Sequence, residues 1–234
     1  MLKLNRKLTL TALLASLTLL GAQSGSASTL TFDNYKWGSV TANVSTSAPL
    51  DAPVAASLGV GGFNVHVDTG VSFEAWCMDV WQWLGGSNYT FQSSPLGLTV
   101  DAGKVTLTQA KIDDLNRLAT EAHASINNAT TSAAFQAAIW EIAFDNTGAY
   151  NIASGLFAVS GANAVTQQAQ LWLNGLSSFS PSGYSLSVWS SPTQQDALVF
   201  TKVPTPATYT LLFAGLGLMS FTARRRKQNK AAKI

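Results

Sequence analysis

The run SAAFQAAIWEIAF, residues 132–144, predicts a helix that is apolar on nearly every side. Its apolar side chains recur at helical spacing along one face, and the opposite face is almost as apolar. A helix of this kind is normally buried inside a domain. Gln136 and Glu141 are its only strongly polar members. Each unpaired polar atom of a buried amide costs about 1 to 3 kcal/mol, so we expect Gln136 to have a polar partner inside the domain.

The sequence on either side of this helix predicts an α+β domain. Alternating residues, rich in aromatic and β-branched types, predict strands in the N-terminal half and again over 184–191 and 196–203. Two more helices are predicted. One begins where Thr106 and Gln109 resemble a capping box, and the other covers about 164–176. The expected architecture is a β-sandwich or barrel-like sheet with a three-helix insertion.

The stretch FEAWCMDVWQ, residues 73–82, contains Cys77, the single cysteine of the chain, so no intrachain disulfide can form. A cysteine thiol and a glutamine carboxamide can condense, with loss of ammonia, to an internal thioester. The reaction requires the two side chains to be held together and shielded from water. Cys77 and Gln136 are the candidate pair. The candidate apolar shield consists of the tryptophans near them in the sequence: Trp76, Trp81, Trp83 and Trp140.

At these residues the chain resembles the thioester domains of bacterial surface adhesins. The run Trp76-Cys77-Met78-Asp79 is similar to the aromatic-Cys motif of that family. Residues 135–140, FQAAIW, are similar to its later Thr-Gln-x-Ala-Ile/Val-Trp motif, with phenylalanine in the place of threonine. The resemblance implies that Cys77 and Gln136 are thioester partners, and that an amine on a surface, such as a lysine, opens the thioester to form a stable amide. Such an attachment has no turnover. We therefore expect no enzyme activity, no catalytic residues and no cofactor.

Other interpretations of Cys77 remain open. Free cysteine is among the most buried residue types, so Cys77 would be a plain core residue and Gln136 an amide bonded to backbone. A thiol that awaits oxidation or lipidation is a third interpretation. In either case the domain would serve in structure or non-covalent adhesion. A secreted hydrolase has little support, because no carboxylate pair or nucleophile–base set stands out. The chain has two histidines at unrelated places, and a metal site would need several more ligands at suitable spacing.

Both ends of the chain carry features of an exported protein. Residues 1–27 combine a cationic start, an apolar run and small residues, which is typical of a signal peptide cleaved after Ala27. Residues 207–223 contain no ionisable side chain except the phenol of Tyr209, and their length is close to the lower limit of about 17 to 25 residues for a transmembrane helix. The basic cluster that follows predicts that the tail, 228–234, stays in the cytoplasm.

The C-terminal segment, residues 203–227, resembles a PEP-CTERM sorting signal. Such signals place a Pro-Glu-Pro-like motif before a membrane helix and an arginine cluster. The matching residues here are Val203, Pro204, Thr205 and Pro206, then Arg224, Arg225 and Arg226, with Thr205 where the family has glutamate. The resemblance implies a Gram-negative-type envelope, a single helix in the inner membrane and an exosortase-type processing enzyme. It also implies a final location at the cell surface or in a biofilm matrix, near exopolysaccharide or an amine-bearing surface.

The body between these ends, residues 28–202, has a length that suits one domain. It contains all twelve acidic residues and only five of the fourteen basic ones, which gives it a net charge of −7. Binding to nucleic acid requires a basic surface, so the composition argues against a nucleic-acid partner.

Overall fold

The computed structural model describes residues 27–47, 50, 55–100, 105–145, 149–204 and 219. The predicted signal peptide, up to residue 26, lies outside these residues. So do the predicted transmembrane segment, apart from residue 219, and the predicted cytoplasmic tail. Of the sorting signal, Val203 and Pro204 are described, whereas Thr205, Pro206 and the arginine cluster are not. Within the described ranges, no helix is both long enough and apolar enough to cross a membrane.

The described residues form eleven strands and three α-helices. The strands are β1 (Ser28–Tyr35), β2 (Val40–Thr46), β3 (Ala55–Val60), β4 (Phe63–Val67), β5 (Phe73–Cys77), β6 (Gly86–Gln92), β7 (Thr99–Val100), β8 (Val105–Thr106), β9 (Phe157–Ser160), β10 (Tyr184–Ser190) and β11 (Ala197–Lys202). The helices are α1 (Gln109–Ala122), α2 (Ala129–Phe144) and α3 (Asn163–Gly175). The two helices predicted over 132–144 and 164–176 are confirmed, with starts three residues and one residue earlier.

Six strands close into an antiparallel barrel in the order β1-β4-β5-β11-β10-β6. A closed sheet leaves no edge exposed to pairing with other chains. The barrel has its own small apolar core, which consists of Leu30, Phe63, Val65, Ala75, Tyr89 and Ala197. The three helices follow β8 and precede β10, so the prediction of a barrel-like sheet with a helical insertion is confirmed, in preference to a sandwich. A separate sheet, β3-β2-β9, packs beside α2.

Helix α2 forms the centre of the larger core, because every residue from Ser132 to Phe144 is buried. It packs against α1, α3 and the β3-β2-β9 sheet. Its start is fixed by a reciprocal capping box: Asn128 Oδ1 accepts a hydrogen bond from Thr131 N, and Thr131 Oγ1 accepts one from Asn128 N. The apolar pattern of the sequence therefore predicted the burial of this helix correctly.

The predicted start of α1 was wrong by two residues. Thr106 belongs to β8, where it pairs with Thr99, and the residue that caps α1 is Thr108, whose Oγ1 accepts from Lys111 N. The reason is tertiary. Leu107 is fully buried, and its N–H donates to Leu98 O at 2.9 Å, so the extended chain continues past Thr106 before the helix can begin.

Candidate functional site

Cys77 is the last residue of β5, directly opposite Ala197 of β11. Side chains alternate along a strand, and here the alternation separates two cores. Ala75 belongs to the barrel core, whereas Trp76 belongs to the larger core around α2. Cys77 is half-buried and packs against both. The barrel therefore holds the thiol at the boundary between the sheet and the helices.

The carboxamide of Gln136 is hydrogen-bonded to the main chain of Cys77 on both of its polar sides. Cys77 N donates to Gln136 Oε1 at 2.8 Å, and Gln136 Nε2 donates to Cys77 O at 2.9 Å. Gln136 itself is fully buried in α2. The structure thus brings together the two residues that the sequence singled out, and Cys77 supplies the polar partner that a buried amide requires.

Cys77 and Gln136 line the same cleft, whose volume is about 380 Å³. Most of the other residues that line it are apolar or aromatic, among them Tyr35, Phe63 and Trp140. Small apolar clefts with a few polar groups are typical binding or reaction sites in proteins. The half-buried Cys77 and the fully buried Gln136 therefore lie together in the wall of a largely apolar cleft.

The four tryptophans proposed as a shield occupy different places. Trp140 is buried and lines the cleft. Trp76 is fully buried and packs against Phe135, with ring centroids 4.6 Å apart. Trp81 is half-buried, does not line the cleft and donates from Nε1 to Thr46 Oγ1. Trp83 lines the cleft but is 85% exposed, so it lies at the surface rather than in a buried wall.

The position of Trp76 depends on a glycine. A Cβ on Gly62 would lie 2.5 Å from Cη2 of Trp76, closer than any ordinary contact. The main-chain N–H of Gly62 donates to Oγ of Ser132, a buried residue of α2, at 2.9 Å. The turn between β3 and β4 is thereby attached to α2, and the indole of Trp76 lies directly against the backbone of that turn.

A second group of buried polar residues lies next to Cys77, where the chain enters β11. Gln195 lines the cleft, and its Nε2 donates to the main-chain carbonyl of Asp79. Asp196 N donates to Asp79 Oδ2 at 2.7 Å, and Asp196 Oδ1 accepts from Ser191 N at 2.8 Å. Asp79, Gln195 and Asp196 are all buried.

These surroundings set the ionisation of the site. Burial raises the pKa of the Cys77 thiol well above its usual value, the charge of Asp79 raises it further, and the polar side chain of Gln195 lowers it in part. Burial also raises the pKa of Asp196 to about 7, and the nearby Asp79 contributes to that rise. Cys77 is consequently a neutral thiol at neutral pH, unlike the low-pKa cysteines of redox sensors.

Glu141, an acidic residue near Gln136 in the sequence, does not lie at the cleft. Its Oε1 accepts a hydrogen bond from Asn151 N at 2.7 Å. Burial raises the pKa of Glu141 to about 8, and the charge of Asp145 adds to that effect. Glu141 therefore attaches the loop after α2 to the helix and has no contact with the thiol site. Among the described residues, no group of three or more His, Cys, Asp and Glu side chains could hold a metal ion.

Sequence reasoning missed Gln195 and Asp196. The signal that could have drawn attention to them is the polar run Gln194-Gln195-Asp196 directly before an apolar strand. What the sequence does not reveal is that this strand pairs with β5, and only that pairing brings the run next to Cys77.

Comparison with known proteins gives a weak structural likeness. No family model and no curated protein matches the chain. Among solved structures, the chain is similar to the N-terminal domain of the Streptococcus pyogenes pilus tip adhesin Cpa, with 18% sequence identity and a TM-score of 0.37. The match covers 74% of this chain and 100% of that chain. At this identity and score, the likeness carries no argument about function.

Proposed function

We propose that residues 28–202 form an exported adhesive domain that attaches covalently to its target through an internal thioester between Cys77 and Gln136. The observation that carries this proposal is the pair of hydrogen bonds, 2.8 and 2.9 Å long, between the Gln136 carboxamide and the Cys77 main chain. They hold the carboxamide against the main chain of the residue that carries the thiol. Holding two reactants in this way replaces a slow bimolecular encounter by an intramolecular step.

The contacts also suit the chemistry of thioester formation. The sulfur of Cys77 attacks Cδ of Gln136, the C–N bond breaks, and the thiol proton leaves with the nitrogen as ammonia. Negative charge develops on Oε1 during this step, and the N–H of Cys77 already donates to that atom. A donor aimed at the oxygen where charge develops is the arrangement that stabilises tetrahedral intermediates in acyl transfer. No oxidant or reductant is needed.

Attachment would then proceed by aminolysis. The nitrogen of a primary amine on a surface attacks the thioester carbonyl carbon, an amide forms, the C–S bond breaks, and the proton released from nitrogen restores the thiol. The domain acts once, so this is covalent adhesion without turnover. The raised pKa of Cys77 argues against the role of a redox thiol, because the thiolate is the form that is readily oxidised.

A labelling experiment tests the proposal. Incubation of the exported domain with methylamine should add one methylamine at Gln136, identified by peptide mapping, and should release one titratable thiol at Cys77. Cys77→Ala should abolish the label. Lack of labelling in folded protein would contradict the thioester.

The same pair of hydrogen bonds supports a second candidate. A buried amide bonded to main chain joins α2 to β5 without any covalent chemistry, and the domain would then serve in non-covalent adhesion or matrix structure. The labelling experiment separates the two candidates, because an amide that is only hydrogen-bonded to the main chain takes up no methylamine.

The cellular location of the protein is a separate part of the proposal and rests on the two ends of the sequence. We propose that the chain is exported and held in the inner membrane by its C-terminal helix. An exosortase-type enzyme then releases it to the cell surface or the extracellular matrix, where exopolysaccharide or an amine-bearing surface is the partner. Replacing Arg224, Arg225 and Arg226 by alanine should alter its retention or processing in fractionated cells. Unchanged localisation would count against sorting by the tail.

A further inference from the structure

Gln195 has no role in the proposed function so far, yet the fold brings it to Cys77 from the far end of the domain. Ala197 is the cross-strand partner of Cys77, and pairing continues beyond it through the hydrogen bond from Met78 N to Asp196 O. Residues two apart in an extended chain point to the same side, so Gln195 shares a side with Ala197. A diagonal cross-strand neighbour lies about 7 to 8 Å away, which is within reach of a long side chain.

The side chain of Gln195 is held in one orientation. Its main-chain N–H donates to Trp83 O at 3.1 Å, its carbonyl accepts from the Tyr89 hydroxyl at 2.9 Å, and its Nε2 donates to Asp79 O. The residue is 5% exposed. An amide nitrogen carries two N–H donors, and the bond to Asp79 occupies one of them. The second donor remains available, and Gln195 lines the same cleft as Cys77.

A donor at this place meets a need of the thioester chemistry. When an amine opens the thioester, the C–S bond breaks and the electron pair leaves with the sulfur of Cys77. The surroundings oppose that charge, because the cleft is largely apolar and the Asp79 carboxylate is close enough to raise the pKa of the thiol. A hydrogen bond to a buried anion is worth more than one to a neutral group.

On the basis of the thioester proposed above, we propose that Gln195 donates a side-chain N–H to the sulfur of Cys77 and stabilises the departing thiolate, so that it sets the rate of covalent attachment. The proton from the attacking amine then neutralises the thiolate. Gln195 is neither the nucleophile nor the acyl group. Its effect is on the leaving group alone.

One experiment tests the contact without requiring a thioester. In a Gln136→Met background, where no thioester can form, the rate of alkylation of Cys77 by iodoacetamide is measured against pH. Gln195→Met removes the donor at similar volume and should raise the midpoint of that profile by about one pH unit, a tenfold change in the thiolate fraction. Gln194→Met is the matched control, because the side chain of Gln194 lies against Gly86 and does not line the cleft. An unchanged midpoint for Gln195→Met overturns the proposal.

A second experiment tests the consequence for attachment. In the otherwise unaltered protein, Gln195→Met should lower the rate of methylamine incorporation about tenfold, the same factor as the thiolate shift, while Gln194→Met leaves it unchanged. Gln195→Asn, which keeps an amide but withdraws it from the sulfur, serves as a second variant if the first fails to fold by circular dichroism. A shifted alkylation midpoint with an unchanged methylamine rate also overturns the proposal. If the unaltered protein takes up no methylamine, the thioester itself is refuted, and the role of Gln195 in its opening falls with it. The alkylation profile then still reports whether the two side chains touch.

Discussion

The two hydrogen bonds between Gln136 and the main chain at position 77 should be worth several kcal/mol of stability. We consider Gln136→Met in a Cys77→Ala background, which keeps the main chain and rules out any thioester. The substitution conserves volume but leaves one N–H and one C=O without their partner in a region where Gln136 is fully buried. Each orphaned group costs about 1 to 3 kcal/mol, so the free energy of unfolding should fall by about 2 to 6 kcal/mol. Typical domains have a stability of about 5 to 15 kcal/mol, so the effect is large.

Urea unfolding followed by tryptophan fluorescence measures this loss, and the slope with denaturant should stay constant if the native state remains compact. Gln136→Glu in the same background is the matched control. A protonated carboxyl can accept from the N–H and donate to the C=O as the amide does, whereas a carboxylate can only accept. The free energy of unfolding of this variant should therefore lie near that of the background at low pH and fall as the pH rises through the pKa of the new carboxyl. A loss below about 1 kcal/mol for Gln136→Met would contradict this prediction, because it would show that the N–H and C=O of residue 77 do not depend on this amide for their hydrogen bonds.

Three further predictions concern the frame of the site. The pKa of Glu141 is raised from 4.5 to about 8, so the folded protein keeps a proton that the unfolded chain releases. The free energy of unfolding that protonated Glu141 contributes is therefore lost as the pH rises from about 4.5 to about 8, by about 1.4 kcal/mol per pH unit. Glu141→Gln should reduce the fall by that amount in urea titrations at several pH values, and an unchanged slope would contradict the assignment. Gly62→Ala should lower the free energy of unfolding by about 1 to 3 kcal/mol, because its Cβ would meet the Trp76 ring at 2.5 Å; a neutral effect in the same assay would mean that the ring can move. Trp140→Ala should cost about 3 to 5 kcal/mol, whereas Trp83→Ala, at an 85% exposed position, should stay within about 0.5 kcal/mol. Equal effects of the two tryptophans would argue against their assigned burial.

The main elements of the fold were predictable because they leave a local periodic signal. The apolar run over 132–144 predicts a buried helix whatever surrounds it, and strand alternation in the flanking segments predicts the sheet. The start of α1 was not predictable in the same way. Thr106 and Thr108 are equally good caps by chemistry, and the choice between them depends on the distant contact of Leu107 with Leu98.

The candidate site was likewise predictable only where the sequence carries a local signal. A buried glutamine needs a polar partner, and that requirement, together with the motif around Cys77, was enough to single out the pair that the structure places in contact. The role of Gln195 could not be predicted from the sequence. It lies 116 residues along the chain from Asp79, its hydrogen-bond partner, and no local pattern reveals the pairing of β5 with β11. Trp83 shows the converse: closeness in sequence to Cys77 says nothing about the direction in which the indole points.

The intact mass of residues 28–202, measured without reduction or exposure to amines, tests whether Cys77 and Gln136 form a thioester. The proposal predicts a mass lower by one ammonia than the mass calculated from that sequence, with Cys77→Ala and Gln136→Ala each at its full calculated mass. A full mass for the unaltered domain, together with one freely titrating thiol, would contradict it.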